Sequence, residues 1–290
     1  MNIVFSILHY KEYQTTSNCV NSILELITPK NVNLKIIIVE NPIENNTSGE
    51  LLNLKYKDNK NIIFLKNTRN GGFAEGNNLG YSYAKKNLNP NIFIALNNDI
   101  LIEDKFFIEK MINVEKKCDI IAPKILNLEN INQNPFRKEK LSKIAILFEF
   151  FKIYFLEKIY LNKNLGKRYL SYKKKRQEKK QKKKKLLNNL DYKFNIVPHG
   201  SFIIYKRSYI LEEEFVFVPG TFLYCEEDLL AWYIKEKKYI SLYTSALEVK
   251  HLEHITTSNM EDNLIENYKK IFFFKKQSIK ILLKKEFKLK

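Results

Sequence analysis

Short apolar runs alternate with amphipathic segments along the first 125 residues of the chain. The runs are rich in β-branched residues, which is typical of strands that are buried on both faces of a sheet. The apolar positions between them recur at helical spacing. Because strands that alternate with helices form βαβ units, the pattern predicts an α/β fold whose mostly parallel sheet is flanked by helices. The predicted strands are Ile3–Leu8, Lys35–Glu40, Ile62–Leu65, Ile92–Leu96 and Ile120–Ala122.

The pattern changes after the fifth predicted strand. Ile144–Leu161 is rich in aromatic and aliphatic residues but contains four charged residues, which argues against a transmembrane helix. We predict one main domain over residues 1–260 that carries a helical basic insertion at 136–194, followed by a C-terminal basic amphipathic helix at 261–290. After the insertion we predict a strand-turn-strand at Asn195–Tyr205 and a helix over Asp228–Lys237. Two short strands, Ile240–Tyr243 and Leu247–Lys250, complete the predicted domain.

The formal net charge of +18 is concentrated in two segments. Lys173–Lys185 carries a net charge of +9 and Tyr268–Lys290 carries +8, which leaves +1 for the rest of the chain. A nearly neutral body argues against nucleic acid as a partner, because nucleic-acid-binding proteins have basic residues across the binding face. Two interpretations of the basic segments stay open: solvated or packed helices, or peripheral attachment to an anionic membrane surface.

The hydrophobic content, the cysteines and the N-terminal sequence exclude several classes of protein. The content of hydrophobic residues, 44%, is that of a folded protein rather than a disordered one. Three scattered cysteines are too few for a disulfide framework or a thiolate metal site. The chain begins directly with a strand-like segment and shows no signal sequence, so we expect a cytoplasmic protein, peripheral at the inner face of the cell membrane if the basic segments bind it.

A glycine- and asparagine-rich stretch lies between the third predicted strand and the next helix. Asn70–Gly80 contains four of the eight glycines of the chain. Glycine is favoured where the backbone turns tightly or approaches a ligand closely, so we expect a loop here that presents N–H groups to an anionic ligand, with the helix following over Asn77–Lys86. The spacing matches neither the dinucleotide nor the triphosphate glycine motif.

Polar and acidic residues follow the predicted strand ends, where α/β sheets bind ligands. They are Glu40–Asn41, Asn97–Asp99, the acidic run Glu226–Asp228 and His251. Carboxylates beside amides can hold a hard cation on phosphate oxygens, and a separate carboxylate can act as a general base. The acidic run could also be merely the first turn of a helix, which the helix dipole favours.

At these residues the chain resembles family 2 of the inverting, nucleotide-sugar-dependent glycosyltransferases, which have the Rossmann-like type A fold. The resemblance extends from Ile3 to about Ser258, without the insertion. Five motifs in the family's order carry it: Ile37–Asn41, Asn70–Asn78, Leu96–Asp99, Gly200–Ile203 and Phe222–Leu230. Two positions depart from the family pattern, since Glu40 replaces an aspartate and Asn97 replaces the first acid of Asp-x-Asp.

The resemblance implies roles for individual residues. Glu227 would be the catalytic base, with Asp228 as the alternate, and Asp99 with His251 would hold Mg²⁺ or Mn²⁺. The acceptor side would include His199, Gly200 and Glu226. The residues expected to bind the donor nucleotide and sugar are Tyr10, Glu40, Asn41, Asn70, Gly72, Phe73, Gly76, Asn77, Asn97 and Asn98.

The function that follows is an inverting transfer from a nucleotide-diphosphate sugar to a hydroxyl of a growing surface glycan, or of a lipid-linked glycan. Two rival functions stay open at this stage. One is a sugar-phosphate nucleotidyltransferase, although the loop His9–Tyr13 lacks the glycine-rich, basic character which that class shows. The other is a non-catalytic protein that binds membrane or polyanion with a degenerate transferase fold. His9 could border the nucleotide or belong to the core.

Overall fold

One mixed sheet organises the protein. The computed structural model describes residues 1–114, 117–162, 165–166, 168–169, 191–253 and 261–289. In the first half of the chain the elements are β1 (Asn2–His9), α1 (Tyr13–Leu24), β2 (Asn33–Glu40), α2 (Ser48–Tyr56), β3 (Ile62–Lys66), α3 (Gly72–Asn87), β4 (Ile92–Asn97), β5 (Ile100–Leu101), α4 (Phe107–Ile112) and β6 (Ile120–Leu126). In the second half they are α5 (Lys143–Leu161), β7 (Tyr192–Phe194), β8 (Phe202–Lys206), α6 (Arg207–Glu212), α7 (Glu226–Lys237), β9 (Ser241–His251) and α8 (Glu261–Phe287).

The strand order is β3-β2-β1-β4-β8-β6-β9-β5, and β7 also pairs with β9. Strands β3, β2, β1 and β4 are mutually parallel, and β6 is parallel to β9. Strand β8 is antiparallel to both of its neighbours, β4 and β6. The prediction of an α/β fold with a mostly parallel sheet between helices is therefore confirmed.

Alternation along the central strands separates two apolar layers. Ile3, Phe5 and Ile7 of β1 pack on one side of the sheet, whereas Val4 faces the other. Tyr81 of α3 belongs to the layer of Val4. All of these side chains are fully buried, which explains why the strands have almost continuous apolar sequences.

Helix α3 begins earlier than the sequence predicts. The stretch from Gly72 was expected to be a loop, with the helix starting at Asn77, but the helix already begins at Gly72. Two glycines one turn apart let it approach the sheet closely: a Cβ at Gly76 would lie 2.4 Å from Leu8 Cδ1, and one at Gly80 would lie 2.2 Å from Ser6 Oγ. Packing on the sheet thus outweighs the low helix propensity of glycine.

Other element boundaries differ from the prediction because pairing extends the strands. β6 continues to Leu126, since its second half pairs with β9 beyond a register shift at Pro123/Lys124. β9 is one continuous strand where two short ones were expected. The boundary of the catalytic domain at residue 260 stays a prediction.

Helices α5 and α8 pack side by side and run antiparallel. Lys276 of α8 donates to Glu157 of α5 over 2.6 Å, while Lys140, just before α5, forms an ion pair with Glu286 near the other end of α8. The apolar cluster between the helices and the body includes Leu229 of α7. In the described part of the chain, no helix combines the length and apolarity needed to cross a membrane. The basic run at 173–185 lies outside the described residues.

Candidate active site

A cleft of about 220 Å³ opens where the carboxyl ends of β1, β2 and β4 meet. This is the edge at which open α/β sheets bind ligands. The lining residues are Leu8, Tyr10, Asn41, Asn70, Gly72, Phe73, Asn97, Asn98, Phe222 and Leu223. Seven of the ten predicted donor-binding residues are therefore brought together in one cleft. Phe222 and Leu223, which were quoted only as parts of a motif, complete its wall.

The other three predicted donor-binding residues lie behind this wall. Glu40 is buried, with its carboxylate against Gly49 of α2 and 4.0 Å from Lys66 Nζ, and burial raises its pKa. Asn77 is also buried, and its side-chain amide donates to the carbonyl of Phe73 over 2.9 Å. Gly76 contacts β1, as described above. In the structure these residues support the cleft rather than line it, so a direct role in donor binding stays a prediction.

Gly72 joins the two loops that form the cleft. Its φ of +82° lies in the left-handed region, and a Cβ there would be 2.2 Å from the carbonyl oxygen of Phe222. The same carbonyl accepts a 2.8 Å hydrogen bond from the N–H of Phe73, and Asn41 Nδ2 donates to the carbonyl of Gly72 over 2.8 Å. Glycine is thus required here by both conformation and space.

These contacts bear on one expectation from the sequence, that the N–H groups of this stretch face an anionic ligand. Two of these groups do not: the N–H of Gly72 donates to Asn70 Oδ1 over 3.1 Å, and that of Phe73 donates to Phe222. Both donors are therefore used inside the protein, to shape the wall of the cleft. For the rest of the stretch the expectation stays a prediction.

Asp99 and His251 come together although they are far apart in sequence. His251 Nε2 lies 3.2 Å from Asp99 Oδ1, because β5 pairs with the end of β9 and sets Ile100 opposite His251. Gln133 Oε1 lies 2.8 Å from His251 Nδ1 and fixes the orientation of the ring. A carboxylate oxygen and an imidazole nitrogen that converge in this way, with the second ring nitrogen held, are suited to a divalent cation.

No group of three or more metal-binding His, Cys, Asp or Glu side chains occurs among the described residues. A protein pair such as Asp99 and His251 leaves several coordination positions for other oxygen atoms. Mg²⁺ is commonly held in this manner, by one or two protein ligands together with substrate phosphates and water. The predicted pair therefore fits a cation that binds with a diphosphate.

Glu227 stands on the first turn of α7, beside the cleft. Its Oε1 lies 3.4 Å from the N–H of Gly200, and a Cβ at Gly200 would be 3.6 Å from the ring of Phe73. Gly200 therefore lies between the Glu227 carboxylate and Phe73 of the cleft, and it has no side chain that would separate them further. Burial raises the pKa of Glu227 above its ordinary value. A carboxylate with a raised pKa is a stronger base, which suits it to proton abstraction.

The loop before α7 holds this turn in a strained conformation. Tyr224 and Cys225 both adopt left-handed backbone angles, with φ of 73° and 65°. Two consecutive non-glycine residues in this region cost free energy and occur mainly at functional sites. The acidic run Glu226–Asp228 follows these two residues directly and forms the first turn of α7.

Asp228, the alternate base, is held by an ion pair. Arg137 reaches it from the segment before α5, and the aromatic ring of Phe136 lies 4.6 Å from the guanidinium of Arg137. Burial raises the pKa of Asp228, and the Arg137 charge opposes that shift. Glu226 is buried, and burial together with the neighbouring Glu227 raises its pKa to about 7. Of the three acids, Glu227 is the one that the contacts place beside the cleft, because it touches Gly200 and Gly200 adjoins Phe73.

Two histidines have different surroundings. His199 lies between the two halves of the site, since its ring centroid is 5.8 Å from that of His251 and its backbone adjoins Gly200. His9 is buried, with its ring nitrogens 2.7 Å from Thr16 Oγ1 and 2.9 Å from Ser48 Oγ. Burial lowers the pKa of His9 to about 4. His9 therefore belongs to the core, which decides between the two interpretations left open by the sequence.

Comparison with known proteins adds an independent observation. A sequence profile described as "Glycosyl transferase family 2" matches residues 6–212. This match covers well over half of the chain, and it ends before the acidic run. A search of curated protein sequences finds no match.

Several solved structures share the fold. The mannosyltransferase PcManGT from Pyrobaculum calidifontis, in complex with GDP-Man and Mn²⁺, is similar with a TM-score of 0.54 and 10% identity, over 99% of this chain and 71% of that one. S. aureus TarS 1–349 in complex with UDP-GlcNAc is similar with a TM-score of 0.53 and 11% identity, over 99% of this chain and 73% of that one. At such low identity the likeness concerns the fold alone.

Proposed function

The chain belongs to glycosyl transferase family 2, and from this premise we propose that it transfers a hexose with inversion from a nucleotide-diphosphate sugar to an acceptor hydroxyl, with Glu227 as the base and Asp99 and His251 as ligands of a divalent cation. The observation that carries the proposal is the convergence of these three side chains on one edge of the sheet. His199 and Gly200 form the link between the base and the cation pair.

Family membership supports a glycosyltransferase over both rival functions. A nucleotidyltransferase would belong to another family. A non-catalytic protein would have no need to keep a carboxylate of raised pKa beside a cleft that is lined by asparagine amides and aromatic rings.

Catalysis would begin with the donor in the cleft. The side-chain amides of Asn70 and Asn97 offer hydrogen bonds there, while Tyr10 and Phe73 provide apolar contact. A bound Mg²⁺ or Mn²⁺ would supply positive charge that stabilises the departing nucleoside diphosphate. The solved mannosyltransferase contains GDP-Man and Mn²⁺, which supports this choice of donor class and cation.

Glu227 would take the proton from the acceptor hydroxyl as that oxygen attacks the anomeric carbon. The new glycosidic bond forms on the face opposite the departing phosphate, so the configuration inverts. The proton is held at the Glu227 carboxylate, next to the N–H of Gly200. Direct displacement needs one base and no covalent intermediate, and the Glu227 carboxylate would supply that base.

The acceptor we propose is a hydroxyl of a growing surface glycan, carried in the cytoplasm on a lipid at the inner face of the membrane. The acceptor side would be formed by His199, Gly200 and Glu226. A membrane-held acceptor is supported by the basic segments of the sequence, which would hold the protein at an anionic surface.

A donor screen tests the proposed function. The protein is incubated with a panel of UDP-, GDP- and dTDP-hexoses, Mn²⁺ and simple glycoside acceptors, and the anomeric configuration of each product is read by NMR. We expect one donor to be consumed, with a product whose configuration is opposite to that of the donor. A product of retained configuration would refute the inverting mechanism, and a protein that neither binds nor consumes any donor would refute the transfer itself.

A further inference from the structure

Helix α5 exposes a continuous apolar stripe. Five large side chains are between 38% and 79% exposed and recur at spacings of three and four residues, which places them on one face of the helix. They are Ile144, Leu147, Phe148, Phe151 and Phe155. Lys158 continues the same spacing and is also exposed. The opposite face of α5, which includes Ile153, packs on the body. A contiguous stripe of this kind marks an interaction surface, whereas single exposed apolar residues do not.

The adjoining helix α8 exposes a basic face. Positions three and four residues apart along its outer side carry one aromatic ring, one amide and three lysines. They are Lys270, Phe273, Gln277, Lys280 and Lys284. The stripe of α5 together with these residues is called here the aromatic-basic face.

The described acidic side chains of α5 and α8 are all paired with lysines. Within the described side chains of α5 and α8, the carboxylates are Glu149, Glu157 and Glu286, and each forms an ion pair with a lysine. Glu286 is buried in its ion pair. The described parts of the two helices therefore present apolar and cationic side chains outward, while their described anionic side chains are neutralised by lysines.

We propose that the aromatic-basic face docks on an anionic lipid surface. Phenylalanine rings on one side of a helix can enter the boundary between headgroups and acyl chains, and lysines near that boundary attract anionic headgroups. A second copy of the chain is a poorer occupant, because face-to-face contact would bring lysines of the same charge together. The run at 173–185 adds to the attraction through its charge of +9.

This face is connected to the cleft by direct contacts of α8. The ring of Phe274 stacks on that of Phe222 at 4.6 Å, and Ser278 Oγ donates to the carbonyl of Leu223 over 3.0 Å. Phe222 and Leu223 line the cleft. Docking would therefore set the orientation of the donor cleft relative to the lipid surface. The docking itself does not depend on the proposed transfer, and the experiment below measures binding alone.

Flotation of the full chain with vesicles tests the inference. At low salt we expect the protein to float with vesicles that contain phosphatidylglycerol and to stay behind with vesicles of phosphatidylcholine only. Phe148→Ser/Phe151→Ser/Phe155→Ser should weaken binding at least about tenfold and remove the part that resists salt, because three rings no longer leave water. Phe106→Ser is the control, since Phe106 is 51% exposed on another surface.

The lysines are tested separately. Lys270→Gln/Lys280→Gln/Lys284→Gln should weaken binding at low salt by about fivefold for each charge removed. A control that removes the same charge elsewhere, at exposed Lys30, Lys57 and Lys60, should have a much smaller effect. Raising salt from 0.1 M to 1 M shortens the Debye length from about 10 Å to about 3 Å and should mimic the lysine variant.

Three results would overturn the proposal. The first is an intact chain that does not float with anionic vesicles at low salt. The second is a triple Phe variant that binds as well as the parent, which would assign all binding to the lysine run. The third is a concentration-dependent dimer in sedimentation that the Phe variant abolishes without any vesicle binding, which would make the face a dimer interface. An unchanged thermal melting curve of each variant establishes that it is folded.

Discussion

Replacing Glu227 by glutamine tests the assignment of the base most directly. The amide keeps the shape of the side chain and its contact with the N–H of Gly200, 3.4 Å from Oε1, but it cannot accept the proton. A positioned general base contributes at least about 10²-fold to rate, which corresponds to about 2.7 kcal/mol of transition-state stabilisation. We therefore expect kcat to fall by about 10²-fold or more. The KM for the donor should change little, because Glu227 does not line the cleft.

The pH dependence adds a second observable to the same experiment. Burial raises the pKa of Glu227 above 4.5, and the base works only when deprotonated. The rate of the parent should therefore fall as the pH is lowered through this raised pKa. The residual rate of the Glu227→Gln variant should lack that limb, because the titrating group is gone.

Two neighbouring acids serve as matched controls. Asp228→Asn disturbs an ion pair with Arg137, while Glu226→Gln removes a buried carboxyl whose pKa is about 7. If Asp228→Asn abolished turnover while Glu227→Gln kept near-normal turnover, the base would be Asp228. An acid limb near pH 7 that disappeared only in Glu226→Gln would assign the base to Glu226. Either result would refute the reasoning from contact with Gly200.

Three further predictions concern the parts that surround the base. Arg137→Gln removes a positive charge that lowers the pKa of Glu227, so the acid limb of kcat should move to higher pH. Arg137→Lys keeps the charge and should leave the limb nearly in place. Identical pH profiles for both variants would contradict this prediction. Gly72→Ala should lower the free energy of unfolding, measured in urea, by at least about 1–2 kcal/mol. The reason is that a residue in the left-handed region gains a Cβ that overlaps the carbonyl of Phe222. Unchanged stability would show that the loop adapts. Asp99→Asn should abolish the Mn²⁺-dependent increase in affinity for a nucleoside diphosphate, measured by calorimetry, because a hard anionic ligand is lost. If the parent protein bound the nucleoside diphosphate equally well with and without Mn²⁺, the cation would have no part in the mechanism.

The strands were predictable because burial on both faces leaves little choice of residue. Ile36–Val39 of β2 are all fully buried, and their sequence is a continuous β-branched run. Helix α3 was harder to place, since glycine disfavours helices and its start depends on contacts with β1 and Phe222 that are distant in sequence. Local propensity cannot report such contacts.

In the site, too, residues that follow a local sequence pattern were predictable, whereas residues placed by contacts distant in sequence were not. Residues at strand ends could be collected from the sequence, because the carboxyl ends of parallel strands meet at one edge. Arg137 could not, since its partner Asp228 is 91 positions away and Arg137 lies in a segment that the sequence marks as an insertion. Gln133, which orients His251, was missed for the same reason, being 118 positions from it.

The composition of α8 predicts an amphipathic helix, but it does not reveal that this helix supports the wall of the cleft. Its lysines and aromatic residues indicate an appended amphipathic helix, yet Ile279 and Leu282 are buried against the body. Through Phe274 the helix supports Phe222, whose carbonyl in turn holds the N–H of Phe73 at the start of α3. The wall of the donor cleft, the start of α3 and the aromatic-basic face therefore belong to one packed unit. A surface that binds lipid through this unit would fix the approach of a membrane-held acceptor without any movement of the site.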